Sequence, residues 1–220
     1  MEGCTVSIGV LACESMVDYV RAAQKRLNTA YPVFVLHYGS TENPVQMQLH
    51  ITQATAQMPE EIDTLLVAMG FCGGSWNQVT AERRMVIPRV DDCVSILLND
   101  GRRHRPNPKK MGHLYVTEWQ PQSTCKRLCQ QCPRWKADAN YPRWFANHSR
   151  MDIVDTGTFD CYSEDYVEEA QRCADSMNCT LGYVSGSNLL MEKLIGGQWD
   201  DQFIVAEPGQ RISHKDFFQE

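Results

Sequence analysis

Short apolar runs alternate with amphipathic stretches along the first part of the chain, a pattern that predicts strand, helix, strand, helix, strand. Thr5 to Leu11 and Pro32 to His37 have strand length and apolar content. Asp63 to Met69 is a third such run and leads straight into Gly70-Phe71-Cys72-Gly73-Gly74. Between the runs, Val17 to Leu27 sets Val17, Val20, Ala23 and Leu27 at helical spacing. Pro44 to Met58 places Val45, Leu49, Thr52 and Ala56 on one helical face behind a proline suited to the first helical position. Met85 to Pro88 is a further apolar piece, and Asp92 to Leu98 fits the start of a helix or another strand. This order and spacing belong to an open, mainly parallel sheet with helices on both faces.

Asn99 to Lys110 is polar and basic and reads as a loop, followed by a strand from His113 to Glu118. The rhythm then returns. Met151 to Val154 is a strand, and Ser163 to Met177 a helix with Ser163 as N-cap and Tyr166, Val167, Ala170 and Cys173 inward. Thr180 to Val184 is a strand, Asn188 to Ile195 a helix and Gln202 to Ala206 a last strand. The expected organisation is one α/β domain over residues 1–220, with sub-halves of about 1–118 and 151–220. A Cys- and Trp-rich insertion over about 119–150 separates them.

Composition narrows the partners. The 220 residues carry 21 Lys and Arg against 27 Asp and Glu, a net charge of −6, which disfavours a protein that tracks nucleic-acid phosphates. No apolar run approaches the roughly 20 residues that span a bilayer. The start, Met1-Glu2, lacks the basic region of a secretory signal, so the expectation is a cytoplasmic protein away from membranes. The ten cysteines, about 4.5% of the chain, fall below the roughly 8–10% of a disulfide scaffold. In a reducing compartment they read as ligands or reactive groups.

In an open parallel sheet, ligands bind beyond the carboxyl ends of the strands. Cys13, His37, Cys72 and Cys93 all fall near such ends, and thiolate with imidazole suits zinc or a softer transition metal. Each cysteine taken alone reads first as a small buried hydrophobe. Cys72 stands apart because it lies in a glycine-rich turn, where Gly73 and Gly74 let backbone approach a bound cofactor. The same turn faintly resembles an anion cradle, without the lysine of a phosphate loop. A nucleophilic Cys72 with His37 as base is the competing catalytic arrangement. Arg89 and Asp92 are either parts of a turn and a helix start or groups that orient a ligand.

A second cluster, Cys125, Cys129 and Cys132, has the C-x3-C-x2-C spacing by which radical enzymes hold a four-iron cluster, but it lies too late in the chain to leave room for their barrel. A structural zinc or Fe–S site is the better expectation for it. Trp119, Trp135 and Trp144 make the same segment aromatic.

Leu65 through Gly73, with its Gly-x-Cys-Gly turn, and Val86 through Cys93, with Pro-Arg-x-x-Asp-Cys, carry a family resemblance. Together with Ile153 to Gly157 and Leu189 to Asp200, they make the chain resemble the family of domain of unknown function 1638. Members often occur beside corrinoid-dependent methyltransferase systems of anaerobes. The resemblance therefore implies metal, corrinoid or one-carbon chemistry, with a corrinoid protein or methyltransferase as partner. The chain departs from the family at Ser40 to Pro44, where members tend to carry a histidine. The Cys125–Cys132 cluster is not a general family feature.

The expected function is a metal-binding α/β protein with Cys72 and Cys93 as thiolate ligands, completed by Cys13 or His37. The alternatives are a non-catalytic accessory protein with structural cysteines, and an Fe–S protein using Cys125, Cys129 and Cys132.

Overall fold

A computed structural model of the chain describes residues 7–37, 44–117 and 148–218. Within it the chain forms two compact units, one of Met1–Pro108 with Asn188–Glu220 and the other of Lys109–Ser187.

In the first unit, β1 (Ile8–Cys13) lies between β2 (Val33–Leu36) and β3 (Thr64–Ala68), parallel to both. Val10, Leu11, Leu65, Leu66 and Val67 are all fully buried, the uninterrupted apolar pattern of parallel strands covered on both sides. β4 (Arg84–Pro88) extends the sheet in parallel beyond β3. β8 (Phe203–Ala206) then closes the edge antiparallel to β4, giving the order β2-β1-β3-β4-β8. This last strand, expected with the second half, belongs to the first sheet.

The helices of this unit are α1 (Val17–Leu27), α2 (Pro44–Ala56), α3 (Cys93–Leu98), α5 (Leu189–Ile195) and α6 (His214–Phe217). α1 buries Tyr19, Val20 and Ala23 and ends at Asn28 in the left-handed conformation. It packs on α5, with Asn188 Nδ2 donating to the Tyr19 carbonyl at 2.9 Å. α2 corrects the expected face: Val45 and Leu49 are 69% and 54% exposed, whereas Met47, Ile51 and Thr55 are buried. Thr55 tolerates burial because its hydroxyl donates to the Ile51 and Thr52 carbonyls, each at 3.0 Å. Asp92 to Leu98, left between helix and strand by the sequence, is helical as α3.

The second unit is a parallel sheet of β5 (His113–Val116), β6 (Arg150–Asp155) and β7 (Thr180–Ser185), in that order, with α4 (Glu164–Ser176) packed on it. Met151 and Ile153 of β6 bury against Cys173 and Ala170 of α4 in two small apolar clusters. Ser163 makes no capping bond at the start of α4; its hydroxyl donates back to the Asp160 carbonyl at 3.3 Å. Most of the expected insertion, including Trp119, Trp135 and Trp144, lies outside the described residues. Among the described residues, no helix is long and apolar enough to cross a membrane. The fold class is thus α/β with mainly parallel strands.

Candidate thiol site

Three of the expected residues meet at the carboxyl edge of the first sheet. Cys13 ends β1, Cys72 follows β3, and Cys93 opens α3 just beyond β4. The Sγ atoms of Cys72 and Cys93 are 4.0 Å apart. Cys13 hydrogen-bonds Cys93 and also the Ser15 hydroxyl, at 3.3 Å. Cys13 and Cys93 are buried, Cys72 is half-buried, and none of the six described cysteines is in a disulfide.

The approach of the two segments is built into the backbone. The Phe71 amide donates to the Val90 carbonyl at 2.9 Å and the Cys72 amide to the Asp91 carbonyl at 2.6 Å. Gly70 makes this contact possible, because a Cβ there would lie 2.7 Å from the Asp92 nitrogen. Beyond it, Cys72 and Gly73 turn the chain with φ of 48° and 69°. Cys72 thus takes a left-handed conformation uncommon for a residue with a side chain, the kind of local strain that concentrates at functional sites. The Ser75 hydroxyl holds the turn by donating to the Cys72 carbonyl at 2.7 Å.

On the facing segment, Asp92 caps α3 by accepting from the Ser95 amide at 2.9 Å. The Ser95 hydroxyl donates to the Asp91 carboxylate. Both acidic groups are therefore engaged in setting the start of the helix that presents Cys93. Arg89 is tied to the edge strand: its amide donates to the Gln202 carbonyl at 2.8 Å and its guanidinium to the Phe203 carbonyl at 3.4 Å. Its own carbonyl accepts from His104 Nε2 at 2.8 Å. Arg89 and Asp92 thus shape the site through backbone contacts.

His37 is not brought to the thiols by any described contact. Its side chain is 74% exposed and its Nδ1 lies 3.6 Å from the Glu14 carboxylate. Cys125, Cys129 and Cys132 lie outside the described residues.

The electrostatics of the pair are one-sided. The hydrogen bond from Cys13 favours the Cys93 thiolate, but the bond with Cys72, burial and the negative charge of Asp92 outweigh it, and the Cys93 thiol is held well above its usual range. Metal-free, Cys93 is a thiol. A cation placed between the sulfurs reverses this logic, since it removes the repulsion that keeps the proton on. Two metal–sulfur bonds of about 2.3 Å readily span the 4.0 Å between the sulfurs. Among the described residues, no group of three or more His, Cys, Asp and Glu side chains is arranged to hold a metal ion; the two close sulfurs would offer a metal two protein ligands, with Cys13 a hydrogen-bonded neighbour.

The sequence reading passed over two polar groupings of the second unit. At the carboxyl end of its sheet, Asp155 accepts from the Tyr162 hydroxyl at 2.6 Å and from the Gly157 amide at 3.0 Å. These bonds hold the Asp155 carboxyl below its ordinary value, and the bond to Asp155 pushes the Tyr162 phenol up to about 12. Tyr162 stacks on Tyr183 with ring centroids 5.0 Å apart. In D155N, spectrophotometric titration should find the Tyr162 phenol ionising at lower pH than in the native protein, while an unchanged titration would remove Asp155 as the cause. The other grouping surrounds Asp152, and its signal in the sequence is Arg150 and Asp152 alternating with the apolar Met151 and Ile153 at the start of the strand.

Neither a curated protein nor a solved structure matches the chain. The segments carrying Cys72 and Cys93 fall within residues 35–195, which match the family model described as "Protein of unknown function (DUF1638)", and the chain belongs to that family.

Proposed function

We propose that this protein binds a soft or borderline transition-metal ion through the thiolates of Cys72 and Cys93. The observation that carries the reading is the 4.0 Å approach of two thiols from separate segments. It is supported by the Asp92 carboxylate, whose negative charge acts on Cys93 and makes a cation welcome there. Two protein thiolates leave coordination positions open, which suits a metal that polarises or activates a bound ligand. Thiolate ligands favour zinc or copper(I) over magnesium or calcium. The corrinoid or methyltransferase partner rests on the family resemblance alone.

Anaerobic purification with elemental analysis, followed by cobalt(II) titration of the metal-free protein, tests the reading. One equivalent of metal and a sulfur-to-cobalt charge-transfer band are expected, and both should vanish in C72S and in C93S. C13A should keep the band with affinity lowered about tenfold, the effect of losing a group that hydrogen-bonds a ligand. Binding should tighten as pH rises, because each thiol must release its proton. A protein without metal, band or response to chelator would sink the proposal.

A further inference from the structure

The second unit holds a polar cluster that the thiol site does not use. Asp152 lies on the central strand β6 with its side chain only 4% exposed, and both carboxylate oxygens are engaged. His113 Nδ1 donates to Oδ2 at 2.6 Å from β5, and Arg150 Nε donates to Oδ1 at 2.6 Å from β6 itself. Register sets His113 opposite Arg150, and Gly182 of β7 opposite Asp152. A Cβ at Gly182 would lie 2.3 Å from an Arg150 terminal nitrogen and 2.8 Å from Asp152 Oδ1, so the absence of a side chain there is what lets the guanidinium lie across the strands.

We propose that His113, Asp152 and Arg150 form a second site. In it Arg150 holds a small carboxylate- or phosphate-bearing substrate, and His113 Nε2 accepts a proton from that substrate.

Charge balance alone does not call for the histidine. Arg150 already neutralises Asp152, and a neutral imidazole adds no charge to the pair. What the bond to Asp152 does is fix the ring: with the proton on Nδ1, Nε2 carries the lone pair. When Nε2 takes a proton, the substrate's bond to that proton breaks, an N–H bond forms, and Asp152 stabilises the resulting imidazolium. Among the described residues, no bond to His113 Nε2 is seen, and the side chain is 21% exposed. Arg150 uses Nε on Asp152 and is 44% exposed, and a guanidinium of that kind suits an oxyanion.

Carbethoxylation of the full-length protein by diethylpyrocarbonate, followed histidine by histidine by mass spectrometry, tests this. His113 should react about tenfold faster in the native protein than in D152N, with the exposed His50 as an unchanged internal reference. Inorganic phosphate or acetate should slow the reaction at His113 alone, and R150K should weaken that protection. Protection by phosphate only assigns a phosphate-bearing substrate, and by acetate only a carboxylate. Equal rates in the native protein and D152N, or no protection by either anion, would overturn the proposal. Should D152N fail to fold, the nitrogen-15 spectrum of the native protein decides. A ring protonated on Nδ1 and bare on Nε2 supports the site, and one protonated on Nε2 at neutral pH overturns it.

Discussion

Replacing Gly70 by alanine is expected to destabilise the first unit by about 3 kcal/mol and to abolish metal uptake at the thiol pair, although the substitution touches neither cysteine. The added Cβ would lie 2.7, 2.8 and 2.9 Å from the nitrogen, Cα and carbonyl carbon of Asp92. All three are backbone atoms and cannot swing away as a flexible side chain would. Relief requires β3 and the segment after β4 to part, and their separation is fixed by the Phe71–Val90 and Cys72–Asp91 hydrogen bonds. Whatever stretches those bonds also draws Cys72 from Cys93. Urea denaturation and cobalt titration of the same variant measure both effects. Native stability with full metal stoichiometry would show that the close approach is not what joins the two segments.

Trp76→Ala should cost still more, about 3–5 kcal/mol, because the indole is the largest of the fully buried side chains and nothing small can refill its volume. The chain around it is anchored to the C-terminal segment, with the Gln78 amide donating to the Ile212 carbonyl at 2.8 Å and the Ala81 amide to the Gln210 carbonyl at 2.9 Å. A cavity at Trp76 therefore loosens the segment that follows the Cys72 turn. Trp76→Phe supplies the contrast. The indole nitrogen is buried and has no hydrogen-bond partner among the described residues, so phenylalanine loses volume but also removes an unsatisfied donor. Its loss should be clearly smaller than that of alanine by thermal or urea unfolding. Equal losses would mean that the indole ring's burial is not what sets the cost.

Much of the first unit could be read from the sequence because its central strands are apolar without interruption, and Leu65 to Ala68 admits few other readings. The convergence of Cys72 and Cys93 was legible through the Gly-x-Cys-Gly turn and the strand-end rule for open parallel sheets. The face of α2 was not. Val45–Leu49–Thr52–Ala56 and Met47–Ile51–Thr55 are both spaced to make a helical stripe, and burial of the second depends on a threonine satisfied by backbone carbonyls, which periodicity cannot weigh. The place of β8 was equally hidden: nothing in Phe203–Ala206 states that its partner is β4 or that the pairing is antiparallel. Asp152 was missed for a related reason. A charged residue inside a strand reads as a solvent-facing position until the partners on neighbouring strands are known.

The pairing of β8 with β4 bears on how the protein comes into being. The second unit is one uninterrupted stretch, Lys109–Ser187, whereas the first needs Asn188–Glu220 to finish its sheet. On a translating ribosome the later-encoded unit can therefore be complete while the earlier one still waits with an open strand edge at β4. A stop codon between Ser187 and Phe203 would leave that edge bare, so truncated products should aggregate through the first unit even though all of its thiols are already present.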